Sequence, residues 1–325
     1  MNKIDIVGGS GFIGTRLVRR LMSNHTATLN IIDKAPSTEY PDLVKHADVR
    51  SVDELRQSLS AGSVLINLAA EHRDDVTPLS LYDEVNVDGA RNLCDVAIEK
   101  SVNKIIFTSS VAVYGFAPLG TDETGSIAPF NDYGRTKYEA EEVFRTWQQE
   151  DPDSRMLVII RPTVVFGEGN RGNVYNLIKQ VASKKFLMIG NGTNRKSMAY
   201  VENLAAFIEH ALALSAGVHT YNYVDKPDFT MNELIKEIKQ NLGRPATPGM
   251  QLPYALGLGI GHLLDGVANI TGKKLPVSSI RVKKFCADTC FNTSVTNTGF
   301  TPPVPLKDGL MATVTHEFKE SGDTQ

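Results

Sequence analysis

In Lys3-Ile4-Asp5-Ile6-Val7-Gly8-Gly9-Ser10-Gly11-Phe12-Ile13-Gly14 a short apolar run enters a glycine turn, and an amphipathic stretch follows. The run predicts a buried strand and the stretch after the turn a helix. Strand, glycine turn and helix together form a phosphate site, because the first N–H groups of the helix face an anion. Gly8 permits the tight turn, Gly11 lets the backbone approach a pyrophosphate, and Gly14 allows the helix to pack closely. Phe12 and Ile13 complete the loop as cofactor-binding residues. The spacing is G-x-x-G-x-x-G rather than G-x-G-x-x-G. A second strand, Thr28 to Ile32, ends at Asp33, 19 residues beyond Gly14. A carboxylate there can accept both hydroxyls of an adenosine ribose and would repel a 2′-phosphate, which favours NAD over NADP.

Outward from this turn, short apolar runs alternate with amphipathic stretches, the pattern of parallel strands joined by crossover helices. Ala47-Asp48-Val49 closes a short third strand, and the Ser51-Val-Asp-Glu54 box starts a helix to about Leu59. Val64 to Leu68 is a fourth strand and Leu81 to Lys100 a long helix. A fifth strand, Lys104 to Thr108, delivers Ser109-Ser110-Val111-Ala112-Val113-Tyr114 to its C-terminal end, the functional edge of an open parallel sheet. A helix through Tyr133 continues to about Gln149, and Leu157 to Arg161 is another buried strand, stopped by Pro162. The expected fold is α/β: a Rossmann-type doubly wound parallel sheet with a smaller C-terminal substrate lobe. Residues 1–166 form the NAD-binding domain, to which 201–224 return. The substrate lobe is 167–325, mainly 167–200 and 225–325. Within it Thr230-Met-Asn-Glu233 is a second capping box and Pro245 to Pro253 reads as a linker loop.

Tyr133-Gly-Arg-Thr-Lys137 places a phenol and an ammonium one turn apart on one helix face. A tyrosine of ordinary pKa about 10 needs nearby positive charge to act as a base at neutral pH. Lys137 can supply it, although Tyr and Lys four apart also occur on ordinary surface helices.

Across its 325 residues the formal net charge of −3 gives no electrostatic case for nucleic acid. Cys94, Cys286 and Cys290 make no disulfide framework, and the chain opens on a strand instead of a signal peptide, so a cytoplasmic setting is expected. Neither a metal site nor a spanning helix is expected.

With the glycine turn, Asp33, the Ser110 segment and Tyr133/Lys137 in this order, the chain resembles an extended short-chain dehydrogenase/reductase of the nucleotide-sugar epimerase and dehydratase family. Asn67-Leu-Ala-Ala70, Asn86-Val-Asp-Gly-Ala-Arg-Asn92, Arg161-Pro162 and Gly299-Phe-Thr-Pro302 extend the resemblance over nearly the whole length. The resemblance implies that Ser110, Tyr133 and Lys137 are catalytic. Tyr133 would take a proton from a sugar hydroxyl while hydride passes to the nicotinamide, Ser110 would hydrogen-bond the same oxygen, and Lys137 would lower the Tyr133 pKa and hold the ribose. It also implies cofactor contacts from Asp48 and Val49 beside the adenine, from Leu68, Ala69 and Ala70 along the cofactor, and from Pro162. The family's 4,6-dehydratases carry an Asp-Glu pair directly after the Ser/Thr. Here Val111 and Ala112 occupy those positions, and neither can transfer a proton, which leaves reversible C4 oxidation and 4-epimerisation.

A narrower resemblance lies in Glu71-His-Arg-Asp-Asp75, Asn170 to Leu177, Gly192 to Tyr200, Tyr221 to Pro227 and Ser279 to Ala287. These segments look like the bacterial 4-epimerases that convert undecaprenyl-diphospho-N-acetylglucosamine into its galactosamine epimer for surface-polysaccharide (O-antigen) assembly. The substrate contacts it implies are Ser110, His72, Arg73, Asn173, Arg195, Lys196 and Arg281. Lys196 stands where UDP-sugar epimerases usually have a diphosphate-gripping Arg, and it offers a point charge without the bidentate fork. Leu252, Leu256, Ile260, Leu263, Leu264, Val267 and Ile270 recur at helical spacing, followed by Lys273, Lys274, Arg281, Lys283 and Lys284. An apolar face beside a basic cluster suits the cytoplasmic face of an anionic inner membrane. It equally suits a core helix with a solvated or diphosphate-binding cluster, and Gly257, Gly259 and Gly261 weaken the helix. A soluble UDP-N-acetylglucosamine or UDP-glucose 4-epimerase, a sugar reductase and a non-catalytic cofactor sensor are the competing readings. A homodimer is common in the family.

Overall fold

The computed structural model describes residues 3–24, 27–73, 76–247, 249–271 and 278–318. It divides into two units, Met1–Val165 with Val201–Val224 and Phe291–Val304, and Phe166–Tyr200 with Asp225–Cys290 and Pro305–Gln325.

The first unit is a seven-stranded parallel sheet. In chain order its elements are β1 (Lys3–Val7), α1 (Phe12–Asn24), β2 (Thr28–Asp33), β3 (Val44–His46), α2 (Val52–Ser58) and β4 (Val64–Asn67). Helix α3 runs through Ser80–Tyr82, a π-helical stretch Asp83–Asp88 and Gly89–Glu99. Then come β5 (Lys104–Thr108), α4 (Asp132–Gln149), β6 (Met156–Pro162), α5 (Val201–Ala211) and β7 (Gly217–Tyr223). The spatial order is β7-β6-β5-β4-β1-β2-β3. Ile6 lies between Ile31 on β2 and Ile66 on β4, and Val158 on β6 pairs with Ile106 on β5. Covered on both faces, β4, β5 and β6 read as near-continuous apolar runs, whereas β1 and β2 each carry a polar residue between their apolar ones. One face packs Leu55, Leu93, Val96, Phe144 and Trp147 from α2, α3 and α4 against Leu65, Ile105 and Leu157. On α1 and α5, Arg16 pairs with Glu202 at 3.1 Å. Residues 201–224 therefore supply a helix and the edge strand of the main sheet.

Several local expectations shift. The third strand is Val44–His46, and Asp48 and Val49 follow it. Only half of the Ser51 box forms: Ser51 accepts from the Glu54 N–H, but the Glu54 carboxylate reaches the Asp48 N–H at 2.8 Å instead of closing on Ser51. Phe291–Val304, expected in the substrate lobe, belongs to the first unit. Phe291 stacks on Tyr114 with ring centroids 5.9 Å apart and Phe300 meets Phe207 edge-on at 5.2 Å. These aromatic contacts bury the segment where its sequence neighbours do not lie.

In the second unit, Arg195–Tyr200 pairs antiparallel with Asp225–Thr230. Gln251–Leu252, inside the expected linker loop, pairs parallel with Met188–Ile189. Helices Asn173–Ala182, Met231–Asn241 and Leu306–Phe318 bury Ile178, Val181, Leu234, Ile238, Leu310 and Val314. Thr230 and Glu233 close the second capping box in both directions. Tyr254–Thr271 is helical despite its glycines, and Ser279–Cys286 follows it.

Candidate active site

Sheet order reverses between β1 and β4, and the glycine turn sits there. Gly8 has φ of +75°, and a Cβ on it would stand 2.6 Å from the Ala69 backbone nitrogen. Only glycine permits this turn and this approach of the two strand ends. A Cβ on Gly14 would reach the Gly9 Cα at 2.5 Å, so α1 starts hard against the turn with its first N–H groups unpaired within the helix. Asp33 closes β2 beside it, its carboxylate accepting from the Ser10 N–H at 3.0 Å and the Ala35 N–H at 2.9 Å. Those bonds fix the carboxylate and leave lone pairs for ribose hydroxyls. Asp48 is held by Arg50 at 2.7 Å, which keeps its carboxyl below the ordinary range. Val49 is buried against Gly89 of α3. Leu68 continues β4, donating to the Val7 carbonyl at 2.8 Å, and the Ala69 N–H donates to Asn67 Oδ1 at 3.0 Å. Ala70 follows, and Pro162 ends β6. The turn, the anion-facing helix start and the fixed carboxylate fit a dinucleotide.

β5 and α4 bring the three expected catalytic residues together. The Ser109 N–H still bonds the Ile160 carbonyl at 2.7 Å, so the chain leaves the sheet at Ser110. Ser110 caps a 3₁₀ turn, Val111–Tyr114, and its Oγ accepts from the Ala112 N–H at 3.1 Å. Asn131 caps α4 by accepting from the Gly134 N–H at 2.9 Å. A Cβ on Gly134 would stand 2.5 Å from the Ala112 carbonyl oxygen, so the glycine after Tyr133 is what lets α4 lie against the Ser110 turn. The Ser110 side chain acts on the half-buried Tyr133 phenol so as to favour its phenolate. One turn on, Lys137 is 2 % exposed, with Nζ 4.3 Å from the Phe107 ring centroid.

Electrostatically this departs from the expectation that Lys137 lowers the Tyr133 pKa. Burial pushes the phenol up and outweighs the effect of Ser110, which favours phenolate. Burial also drags the Lys137 ammonium down to about 7, against the pull of Glu141. A cation this dry is only partly charged near neutrality.

Around these residues lies a polar network that the sequence reading missed. Glu141, fully buried on α4, accepts from Ser109 Oγ at 2.5 Å and from Arg161 Nε at 2.9 Å and Nη2 at 2.5 Å. Arg161 Nη1 bonds the Tyr114 hydroxyl at 2.6 Å, and that hydroxyl donates to Asn222 Oδ1 at 2.8 Å. Asn86 on α3 accepts from the Glu71 N–H at 2.8 Å and donates to Thr136 Oγ1 at 2.9 Å. The available signal was spacing: Glu141 follows Tyr133 and Lys137 on the same helix face.

The expected substrate residues are divided between the two units. His72 and Arg73 are exposed in the first unit, and Arg73 pairs with Glu71 at 3.2 Å. Asn173 is the exposed first residue of its helix in the second unit, and Arg281 is exposed on Ser279–Cys286. Arg195 is exposed, its N–H donating to Asp288 at 2.6 Å. Lys196 Nζ donates to the Lys284 and Ala287 carbonyls at 3.0 and 2.6 Å, capping the C-terminal end of that helix. A cavity of about 840 Å³ in the second unit is lined by residues including Asn191, Asn194, Tyr254, Lys283 and Asp288.

Residues 4–223 match the model of the NAD dependent epimerase/dehydratase family. The N-acetyl-α-D-glucosaminyl-diphospho-ditrans,octacis-undecaprenol 4-epimerase of Escherichia coli O157:H7 is 50 % identical over 319 residues, covering 98 % of this chain and 96 % of that protein. The UDP-glucose 4-epimerase of Vibrio cholerae is 30 % identical over 78 % of this chain and 79 % of its own. Among solved structures, UDP-glucuronic acid 4-epimerase from Bacillus cereus in complex with NAD superposes with a TM-score of 0.75 at 21 % identity, covering 98 % and 99 % of the two chains. With a glycine turn shaped for a dinucleotide and a match over more than half its length, the chain belongs to the NAD dependent epimerase/dehydratase family.

Proposed function

We propose that this protein is an NAD-dependent 4-epimerase acting through a transient 4-keto sugar on a polyprenyl-diphospho-N-acetylhexosamine. The observation that carries the reaction is the packing of the Tyr133 helix against the Ser110 turn, with Lys137 buried one turn on, together with two residues after Ser110, Val111 and Ala112, that cannot move a proton. NAD supplies a hydride acceptor that is regenerated in each cycle. Tyr133 takes the C4 hydroxyl proton and returns it, Ser110 holds the same oxygen, and Lys137 places positive charge beside the phenolate. With no further acid or base after Ser110, elimination is not served and the ketone is reduced again on its other face. Purified protein given the C4-deuterated, prenyl-diphospho-linked N-acetylglucosamine is expected to form the galacto epimer with the label retained. Label lost to water would overturn the hydride path. Turnover confined to UDP-N-acetylglucosamine would move the substrate to a soluble nucleotide sugar.

The lipid-linked substrate is supported by the Escherichia coli relative and by the surface of helix Tyr254–Thr271. Gly257 and Gly261 lie on its packed side, where a Cβ would come 2.6 Å from Ile189 and 2.8 Å from Ser279. The opposite side leaves Leu256, Ile260, Leu263 and Val267 exposed, Leu263 by 70 %. Each such side chain gains up to about 1.5–3 kcal/mol on leaving water. Ile280, Arg281, Lys283 and Lys284 are exposed on the next helix, whereas Lys273 and Lys274 lie outside the described residues. Among the described residues no helix is long and apolar enough to cross a membrane. An apolar stripe beside cations fits the interface of an anionic bilayer on its cytoplasmic face. Replacing Ile260 and Leu263 by Ser and Lys283 and Lys284 by Glu is expected to abolish flotation with anionic liposomes and slow turnover of the lipid-linked sugar, with NAD binding unchanged. Each basic residue there contributes on the order of 1 kcal/mol. Unchanged flotation would reject the membrane contact.

A further inference from the structure

The polar network behind the Tyr133 helix has a charge imbalance. Two cations, Lys137 and Arg161, are 2 % and 3 % exposed, and the carboxylate between them, Glu141, is fully buried. Glu141 lies four residues beyond Lys137 on α4, and its oxygens are shared between Arg161 on β6 and Ser109 at the end of β5. The next residue along is Ser110, which caps the turn that Gly134 packs against, beside Tyr133. One carboxylate thus joins the helix bearing the phenol and ammonium to the strand end bearing the serine. Arg145, one further turn along α4, approaches Glu141 only to 3.9 Å and is itself engaged with Glu142 at 3.3 Å. Tyr82 on α3 donates its hydroxyl proton to the Arg73 carbonyl, and Tyr114 on the 3₁₀ turn accepts from Arg161.

We propose that Glu141 is a positioning residue for the reaction, clamping Ser109–Ser110 to α4 and supplying the negative charge that keeps an ammonium, rather than an amine, at Lys137 beside Tyr133. The proposal rests on the reading of Tyr133 and Lys137 as the base. A purely structural role would need the hydrogen bonds but not the charge. The distinction follows from electrostatics: a carboxylate near a cation in a dry site favours the charged form, and a second cation disfavours it. Glu141→Gln keeps the shape and an acceptor for Ser109, but removes the anion that both Lys137 and Arg161 depend on. Lys137 then gives up its proton, and Tyr133 loses the cation that makes its phenolate accessible. Arg161→Met does the opposite, since the whole Glu141 charge falls to Lys137.

The test is the titration of Lys137 in NAD-free protein, followed by NMR of lysine labelled with ¹³C at Cε and assigned by the signal missing from Lys137→Met. In Glu141→Gln the midpoint is expected to fall by about one unit or more, and in Arg161→Met to rise by a similar amount. Opposite shifts cannot come from general loosening, which would move both variants toward the ordinary lysine value. Ser109→Ala, which removes a hydrogen bond and no charge, is expected to leave the midpoint in place. In the NAD-loaded enzyme the alkaline fall of kcat should move to lower pH in Glu141→Gln and its acid rise to higher pH, narrowing the bell. A folded Glu141→Gln or Arg161→Met variant whose Lys137 midpoint is unchanged overturns the proposal. If the midpoints shift as expected but the kcat profile does not, the electrostatic link stands and the assignment of Tyr133 and Lys137 as the base fails.

Discussion

Tyr133→Phe is expected to reduce turnover by about 10² to 10⁴, the range that a positioned general base contributes, while leaving the fold and NAD binding intact. The ring stays half-buried at the start of α4, and Asn131 still caps the helix. Only the hydroxyl is removed. Its loss carries little stability cost, because the neighbouring Ser110 Oγ already accepts from the Ala112 N–H. Single-turnover reduction of bound NAD by substrate separates the chemical step from product release. A folded variant that reduces NAD at near the wild-type rate would place the base elsewhere.

Lys137→Met is expected to be nearly inactive and yet more stable than the wild type at pH 6. The two effects share a cause. Burial lowers the Lys137 pKa from the ordinary 10.5 to about 7, so the unfolded chain binds more protons between those values. Stability of the wild type therefore rises with pH across that window, and the full cost of the buried charge is present below its lower end. Methionine fills the same space against Phe107 without a charge, and Glu141 keeps Arg161 as its partner. The stability advantage should shrink as pH rises from about 7 toward 10. Loss of the cation beside the phenolate is expected to slow the chemistry by about 10² or more. Denaturant melts of NAD-free protein at pH 6 and pH 9 decide the matter, and a variant less stable than the wild type at pH 6 would show that Lys137 carries no burial cost.

Residue order was enough to read the parallel sheet, the glycine turn, Asp33 and the helix face shared by Tyr133 and Lys137. These are local patterns: apolar runs of strand length, glycines at fixed offsets, and side chains four apart that must meet on a helix. β5 was readable to the residue because its apolar run Ile105–Phe107 is bounded by Lys104 and Thr108, with Ser110 beyond its end. Which cations point into solvent and which are taken up by the protein emerged from packing. Lys196 matched a diphosphate position in order along the chain, but the fold turns its ammonium onto two carbonyls of a helix end. The glycines of Tyr254–Thr271 weakened that helix in propensity, yet the packing uses them as its contact side and leaves the leucine stripe facing outward. Phe291–Val304 joined the first unit through aromatic partners far away in sequence. The balance around Tyr133 was equally out of reach, since it depends on how much water the fold removes from Lys137 and on a carboxylate held between β5 and β6. Spacing fixes which side chains can meet, whereas desolvation and distant partners fix their charge, and those exist only once the chain has closed on itself.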